Sequence, residues 1–146
     1  MNYFKSAEQV LSSVPTLERA LENLENRRAR LIASGAPQEP GAIDYTKPFT
    51  GSNYVNDTLN DLLELSECVN NIAKTNAELD EIKAVVAQLQ HDQKTLVELW
   101  YFEKYSKEVV MDKMQIDSLS TVYNLRNKAV AEFALLYYGA AALPSI

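Results

Sequence analysis

A single cysteine, a single histidine, four glycines and five prolines in 146 residues leave this chain few means of stapling, ligating or breaking its backbone. Cys68 alone excludes an internal disulfide and any cysteine-based metal cluster, and within a helical run it reads as a small buried apolar residue. His91 alone leaves neither a multi-histidine metal site nor a serine or cysteine triad with the parts it needs. A glycine-rich phosphate loop is missing, and so is any apolar run long enough to cross a bilayer. Met1-Asn2-Tyr3-Phe4-Lys5 has no signal-peptide core. The acidic pairs Asp61 with Glu64 and Glu78 with Asp80 stand among polar residues and read as solvated helix surface, not acid–base machinery. These absences predict a soluble cytoplasmic protein with no cofactor, no metal and no enzymatic activity.

Because glycine and proline cluster near 34–51 and at the C-terminus, long helices can persist elsewhere, and an all-α fold is expected. The length suits one domain, or a long helical piece carrying a small one, and the pattern selects the second. A helical hairpin is predicted over residues 1–90 with a loop at 35–53, followed by a small three-helix module at 91–139 and a tail at 140–146.

Residues 3–13 carry Ala7, Val10, Leu11 and Val14 on one side, and Pro15 is read as breaking that helix and starting a second. The second reaches about Ala33, its seam formed by Leu17, Leu21, Leu24, Arg28 and Leu31. Ser34 to Asn53 is a proline-bearing connection, longer than usual, which Tyr45, Phe49 and Tyr54 are read as pinning to the helices. From Tyr54 to Gln90 runs the longest helix, seamed by Leu59, Leu62, Leu65 or Ser66, Val69, Ile72, Asn76, Leu79, Ile82, Val86 and Leu89, with a change of phase near 76–83. It would be about 55 Å long against about 28 Å for the helix of Thr16 to Ser34, so half its apolar stripe needs another cover. A homodimer through these helices is the expected solution. Asn76 on the seam is read as a solvated boundary residue before a register-fixing one.

The C-terminal stretch is the most informative. Leu96, Leu99 and Trp100 make one short stripe, Val110, Met111 and Met114 a second, and Val122, Leu125, Ala129, Phe133 and Leu136 a third. Ser106 is a candidate N-cap for the middle helix, and Asp117 or Ser118 for the last. The joint between the last two helices is only a few residues long, which suits a helix-turn-helix. Trp100, Tyr101, Phe102 and Tyr105 end the first helix of the module and read as core rather than as a base-stacking platform.

The segment Leu99 to Phe102, Ser106 to Ile116, and Thr121-Val122-Tyr123-Asn124-Leu125-Arg126-Asn127-Lys128-Ala129, closed by Phe133-Ala134-Leu135-Leu136-Tyr137-Tyr138-Gly139, resembles a known pattern. It is similar to the C-terminal helix-turn-helix of sigma-factor region 4 and of small phage late transcription regulators of the RinA and ArpU type. The chain departs from them in having four residues, Asp117 to Ser120, before Thr121, and asparagine at 124 and 127 where a basic residue is common. The resemblance implies a phage- or prophage-encoded, dimeric, sequence-specific binder of double-stranded DNA in the bacterial cytoplasm, activating late genes, with RNA polymerase as a further partner.

With Val122, Leu125, Ala129 and Phe133 facing the core, helical spacing turns Ser120, Thr121, Asn124, Asn127 and Lys128 outward together. On that face Asn124 suits adenine, Ser120 and Thr121 a base or phosphate, and Lys128 a phosphate. Ser118 and Tyr123 complete the expected contact set. Arg126 is expected to reach a phosphate or to pair with Glu98 or Asp112, and Lys104 and Lys107 to clamp the DNA backbone.

Charge favours an alternative. Residues 1–91 hold eight Lys or Arg against thirteen Asp or Glu, and residues 92–146 hold six against seven, so even the module carries −1. Phosphate neutralisation supplies most non-specific DNA affinity. The second expectation is therefore an acidic protein-binding module that keeps the helix-turn-helix as scaffold and binds a host protein, RNA polymerase or a defence protein.

Overall fold

The computed structural model describes residues 1–34 and 52–146, and all regular structure among them is helical. The fold is all-α. Helix α1 spans Tyr3–Ala33, α2 Ser52–Val86, α3 His91–Val97, α4 Lys107–Met114 and α5 Leu119–Tyr138. A π-helical turn at Glu98–Phe102 follows α3, and a 3-10 helix at Gly139–Ser145 closes the chain. Asn53 and Tyr54 belong to the first turns of α2; the expected roles of Tyr45 and Phe49 fall outside the described residues.

Pro15 does not interrupt the first helix. α1 is continuous through it, which corrects the two-helix expectation. The missing amide deprives the Leu11 carbonyl of its helical donor, and the ring crowds that turn. Burial outweighs the loss, since Ala7, Leu11 and Val14 are all in the core, and Lys104 Nζ donates to the Ser12 carbonyl at 2.8 Å in the weakened turn. An interior proline costs about 3 kcal/mol relative to alanine, and its stiffening of the unfolded chain returns less than about 1. Pro15→Ala is expected to raise stability by about 1–3 kcal/mol, seen as a Tm higher by about 2–4 °C per kcal/mol in thermal unfolding.

With 31 residues α1 is about 46 Å long, against about 52 Å for the 35 residues of α2. The two lengths are nearly equal. The length mismatch behind the expected homodimer therefore disappears.

The buried face of α2 also differs from the expected seam. The helix ends at Val86, short of the expected Gln90; Leu65, Cys68, Ile72, Leu79, Ile82, Val85 and Val86 are buried along it, half-buried Thr75 fills the place between Ile72 and Leu79, and Leu89 is buried in the turn that follows. From Leu65 to Val86 the row steps by three and four residues without a change of phase, with Val85 beside its end. Val69 and Asn76 lie outside this row and are exposed, so Asn76 is a solvated residue. Cys68 is buried, as expected of a small apolar side chain, and its thiol donates to the Leu24 carbonyl at 3.2 Å.

The described chain forms two compact units, one of Arg19–Ala77 and one of Met1–Glu18 with Glu78–Ile146. The expected boundary at residue 90 falls inside the second of these. The reason is the set of contacts made by the first eighteen residues: Tyr3 lies edge-on to Tyr138 at 5.0 Å, Glu8 accepts from the Tyr101 hydroxyl, and Glu18 pairs with Lys83 at 2.8 Å. The C-terminal tail is tied to the same place. Ala142 is fully buried and the Tyr3 amide donates to Ser145 Oγ at 3.3 Å, so the tail packs on its own chain.

Candidate nucleic-acid interface

Helix α4 is capped by Ser106, whose hydroxyl accepts from the Val109 amide at 3.4 Å, as its N-cap position predicts. It ends at Gln115, held in the left-handed region at φ 59°, ψ 42°. That conformation lets the Ile116 amide reach back to the Met111 carbonyl at 2.9 Å, closing the helix within one residue. Three further residues lead into α5. Ser118 is its N-cap by backbone position, but its hydroxyl bonds to that of Ser120 at 2.9 Å and caps no amide. The expected side-chain cap is absent because the neighbouring serine takes its place.

The orientation of α5 follows from what it buries. Val122, Ala129, Val130, Phe133 and Ala134 are fully inside, where α3 and α4 pack against the helix. Leu125 is half-buried and Leu136 is 39 % exposed, so the buried stripe turns toward Val130 and Ala134 in the second half of the helix. The small side chains at 130 and 134 permit that close packing. At the N-terminal half, Ser120, Thr121, Asn124, Asn127 and Lys128 all face solvent, as their spacing predicts.

Thr121, Asn124 and Lys128 rim a surface cleft of about 470 Å³ floored by Met114, Ile116 and Leu125 and bounded by Asp92. The participation of Asp92 had no signal in the sequence, because the residue stands far away in the chain and reaches the cleft only through the packing of α3 on α5. It adds a negative charge to the cleft that Lys128 also lines.

The other cations expected at the interface are held by the fold. Lys104 is spent on the Ser12 carbonyl, and Lys107 Nζ sits 5.8 Å from the centre of the Tyr123 ring. Arg126 forms no ion pair with Glu98 or Asp112; its guanidinium lies 5.4 Å from the Trp100 ring and 5.2 Å from that of Tyr123. Both rings offer it their negative faces, an attraction of about 0.5–2 kcal/mol each depending on desolvation. Two Arg126 nitrogens, Nε and one Nη, also donate to Asn127 Oδ1 at 3.2 and 2.9 Å. Among these four cations only Lys128 has no partner within the described residues.

The aromatic group at the end of α3 supports this face from below. Tyr101 is buried, Trp100 and Phe102 are half-buried, and the π turn supplies the extra residue that lets consecutive positions 100 and 101 serve different neighbours. Trp100 meets Tyr123 edge-on at 5.9 Å. Tyr105 departs from the expected core role: it is exposed, with Lys113 Nζ 5.2 Å from its ring centre.

Burial, together with its 2.8 Å hydrogen bond to Glu8 and the charge of that carboxylate, pushes the Tyr101 hydroxyl well above the ordinary tyrosine range, with Arg126 opposing. Tyr137 is raised by burial and by its 2.6 Å bond to Glu78. Each neutral phenol is thus preferred more by the folded than by the unfolded chain, whose tyrosines ionise near about 10. That stabilisation is intact below about pH 10 and is lost as the pH rises beyond it. Urea midpoints measured from pH 7 to 11 should fall at the alkaline end, and Tyr101→Phe should flatten that fall relative to the parent protein.

No cluster of three or more metal-binding side chains occurs among the described residues, and no described helix is long and apolar enough to cross a membrane. Compared with models of known families, with curated proteins and with solved structures, the chain matches none.

Proposed function

We propose that this protein is a sequence-specific DNA-binding transcriptional regulator, phage- or prophage-encoded and activating late genes from the bacterial cytoplasm, in which α4 and α5 act as a helix-turn-helix. The observation that carries the reading is the solvent-facing row Ser120, Thr121, Asn124, Asn127 and Lys128 on the N-terminal half of α5, opposite fully buried Val122 and Ala129. In a helix-turn-helix these are the positions that enter the major groove while the preceding helix crosses the backbone. Asn124 offers the donor and acceptor pair that adenine requires, and Lys128 a charge for phosphate.

A dimer remains part of the proposal on different grounds from helix length. Leu59, Leu63 and Val69 on α2 are 47 %, 59 % and 43 % exposed, apolar surface suited to a second copy. Contact with RNA polymerase belongs to the same reading.

The test is fluorescence anisotropy of labelled duplexes from the genomic neighbourhood of the gene, repeated over a salt series. Selective binding that weakens with salt supports the proposal; no binding at low salt refutes it. One observation favours the second reading, a module that binds a host protein such as polymerase or a defence protein: Lys104, Lys107 and Arg126 are engaged within the fold, and Asp92 shares the cleft with Lys128.

A further inference from the structure

Resting on the DNA-reading proposal, we infer that Arg126 is a positioning residue that fixes the polarity of the Asn127 amide, making Asn127 a donor-only reader of guanine beside an adenine read by Asn124. The starting point is the pair of hydrogen bonds from Arg126 Nε and Nη to Asn127 Oδ1, at 3.2 and 2.9 Å. A guanidinium has five donors and no acceptor, so the amide must turn its oxygen toward it. The guanidinium is itself held between the Trp100 and Tyr123 rings, at 5.4 and 5.2 Å. Its two-ring seat opposes rotation. With its oxygen engaged, Asn127 presents the NH₂ group outward from an exposed position.

In the major groove only guanine offers two acceptors, O6 and N7, whereas adenine and cytosine each place an amino group there. A donor-only amide is satisfied by the first and repelled by the amino groups of the others. Asn124 differs, because no hydrogen bond engages its amide among the described residues, and both of its functions remain for adenine. Three residues separate the two asparagines, a rise of about 4.5 Å along the helix, close to the step of about 3.4 Å between base pairs. They therefore address neighbouring pairs.

The experiment uses the full-length protein and the labelled duplex that it selects from a random pool, with each guanine replaced in turn by 7-deazaguanine, which lacks the N7 acceptor. One replacement should weaken binding by about fivefold or more, an effect that Asn127→Ala reduces below about twofold. Arg126→Met, which frees the amide to rotate, should cut the preference for guanine over adenine at that pair by about fivefold. Asn127→Asp, whose carboxylate keeps the Arg126 bonds but has no donor, should abolish the guanine preference while circular dichroism stays unchanged. Selective binding that no guanine replacement affects would overturn the inference and leave the DNA reading standing. Retention of full guanine preference by both Arg126→Met and Asn127→Asp would overturn it too. Absence of DNA binding at low salt would overturn the DNA reading, and this inference with it.

Discussion

Phe133→Ala is expected to lower the free energy of unfolding by about 3–5 kcal/mol, the range for emptying a buried aromatic site. Among the described residues Phe133 is the largest of the fully buried side chains, and its ring stacks on Tyr137 at 5.2 Å with 17° between planes. It lies in the C-terminal half of α5, a helix that packs against α3, so a cavity there loosens the platform on which the exposed row stands. Domains of this size have about 5–15 kcal/mol in total, and the substitution removes a large share. With a urea slope of about 1–3 kcal/mol per M, the midpoint should fall by more than about 1 M. Leu136→Ala, three residues later and 39 % exposed, should cost less than about 1 kcal/mol. Equal losses from the two substitutions would mean that the buried face of α5 has been placed wrongly.

The second large effect concerns binding. The Asn124→Ala, Lys128→Ala double variant should weaken DNA binding by at least about tenfold while leaving stability within about 0.5 kcal/mol, because both side chains are exposed and neither is bonded within the described fold. An asparagine bidentate to adenine contributes about 1–3 kcal/mol of discrimination. A lysine on a phosphate releases about one counterion, so the slope of log affinity against log salt should shrink by about 1. Anisotropy titrations at several salt concentrations separate the two losses. A variant that binds like the parent would end the assignment of α5 as the reading helix and favour the protein-partner reading.

The helical class and the outward row of α5 were legible because both depend on local spacing. Val122 and Ala129 point one way and Asn124 and Lys128 the other in any helix of 3.6 residues per turn. What stayed hidden depended on competition between local and distant terms. Pro15 reads as a break because its local cost is plain, whereas the burial of Leu11 and Val14 and the bond from Lys104 to Ser12 arise only on folding. On α2, Val69 follows the seam by hydropathy and Asn76 by spacing and by analogy with coiled coils; Cys68 and Thr75 take those places because small side chains complete the buried row. Arg126 was illegible for another reason. A cation is ordinarily matched with an anion, and its preference for two aromatic rings depends on Trp100 being brought to it by the π turn.

The seat of Arg126 on Trp100 has a practical consequence. Trp100 is the only indole in the chain, so emission excited beyond the tyrosine absorption band comes from the ring that faces the guanidinium. Indole emission responds to nearby charge and to water. Whatever displaces Arg126, whether a ligand on α5 or a substitution at Asn127, is written into the colour and intensity of that light, and the protein carries an intrinsic optical gauge of its own surface.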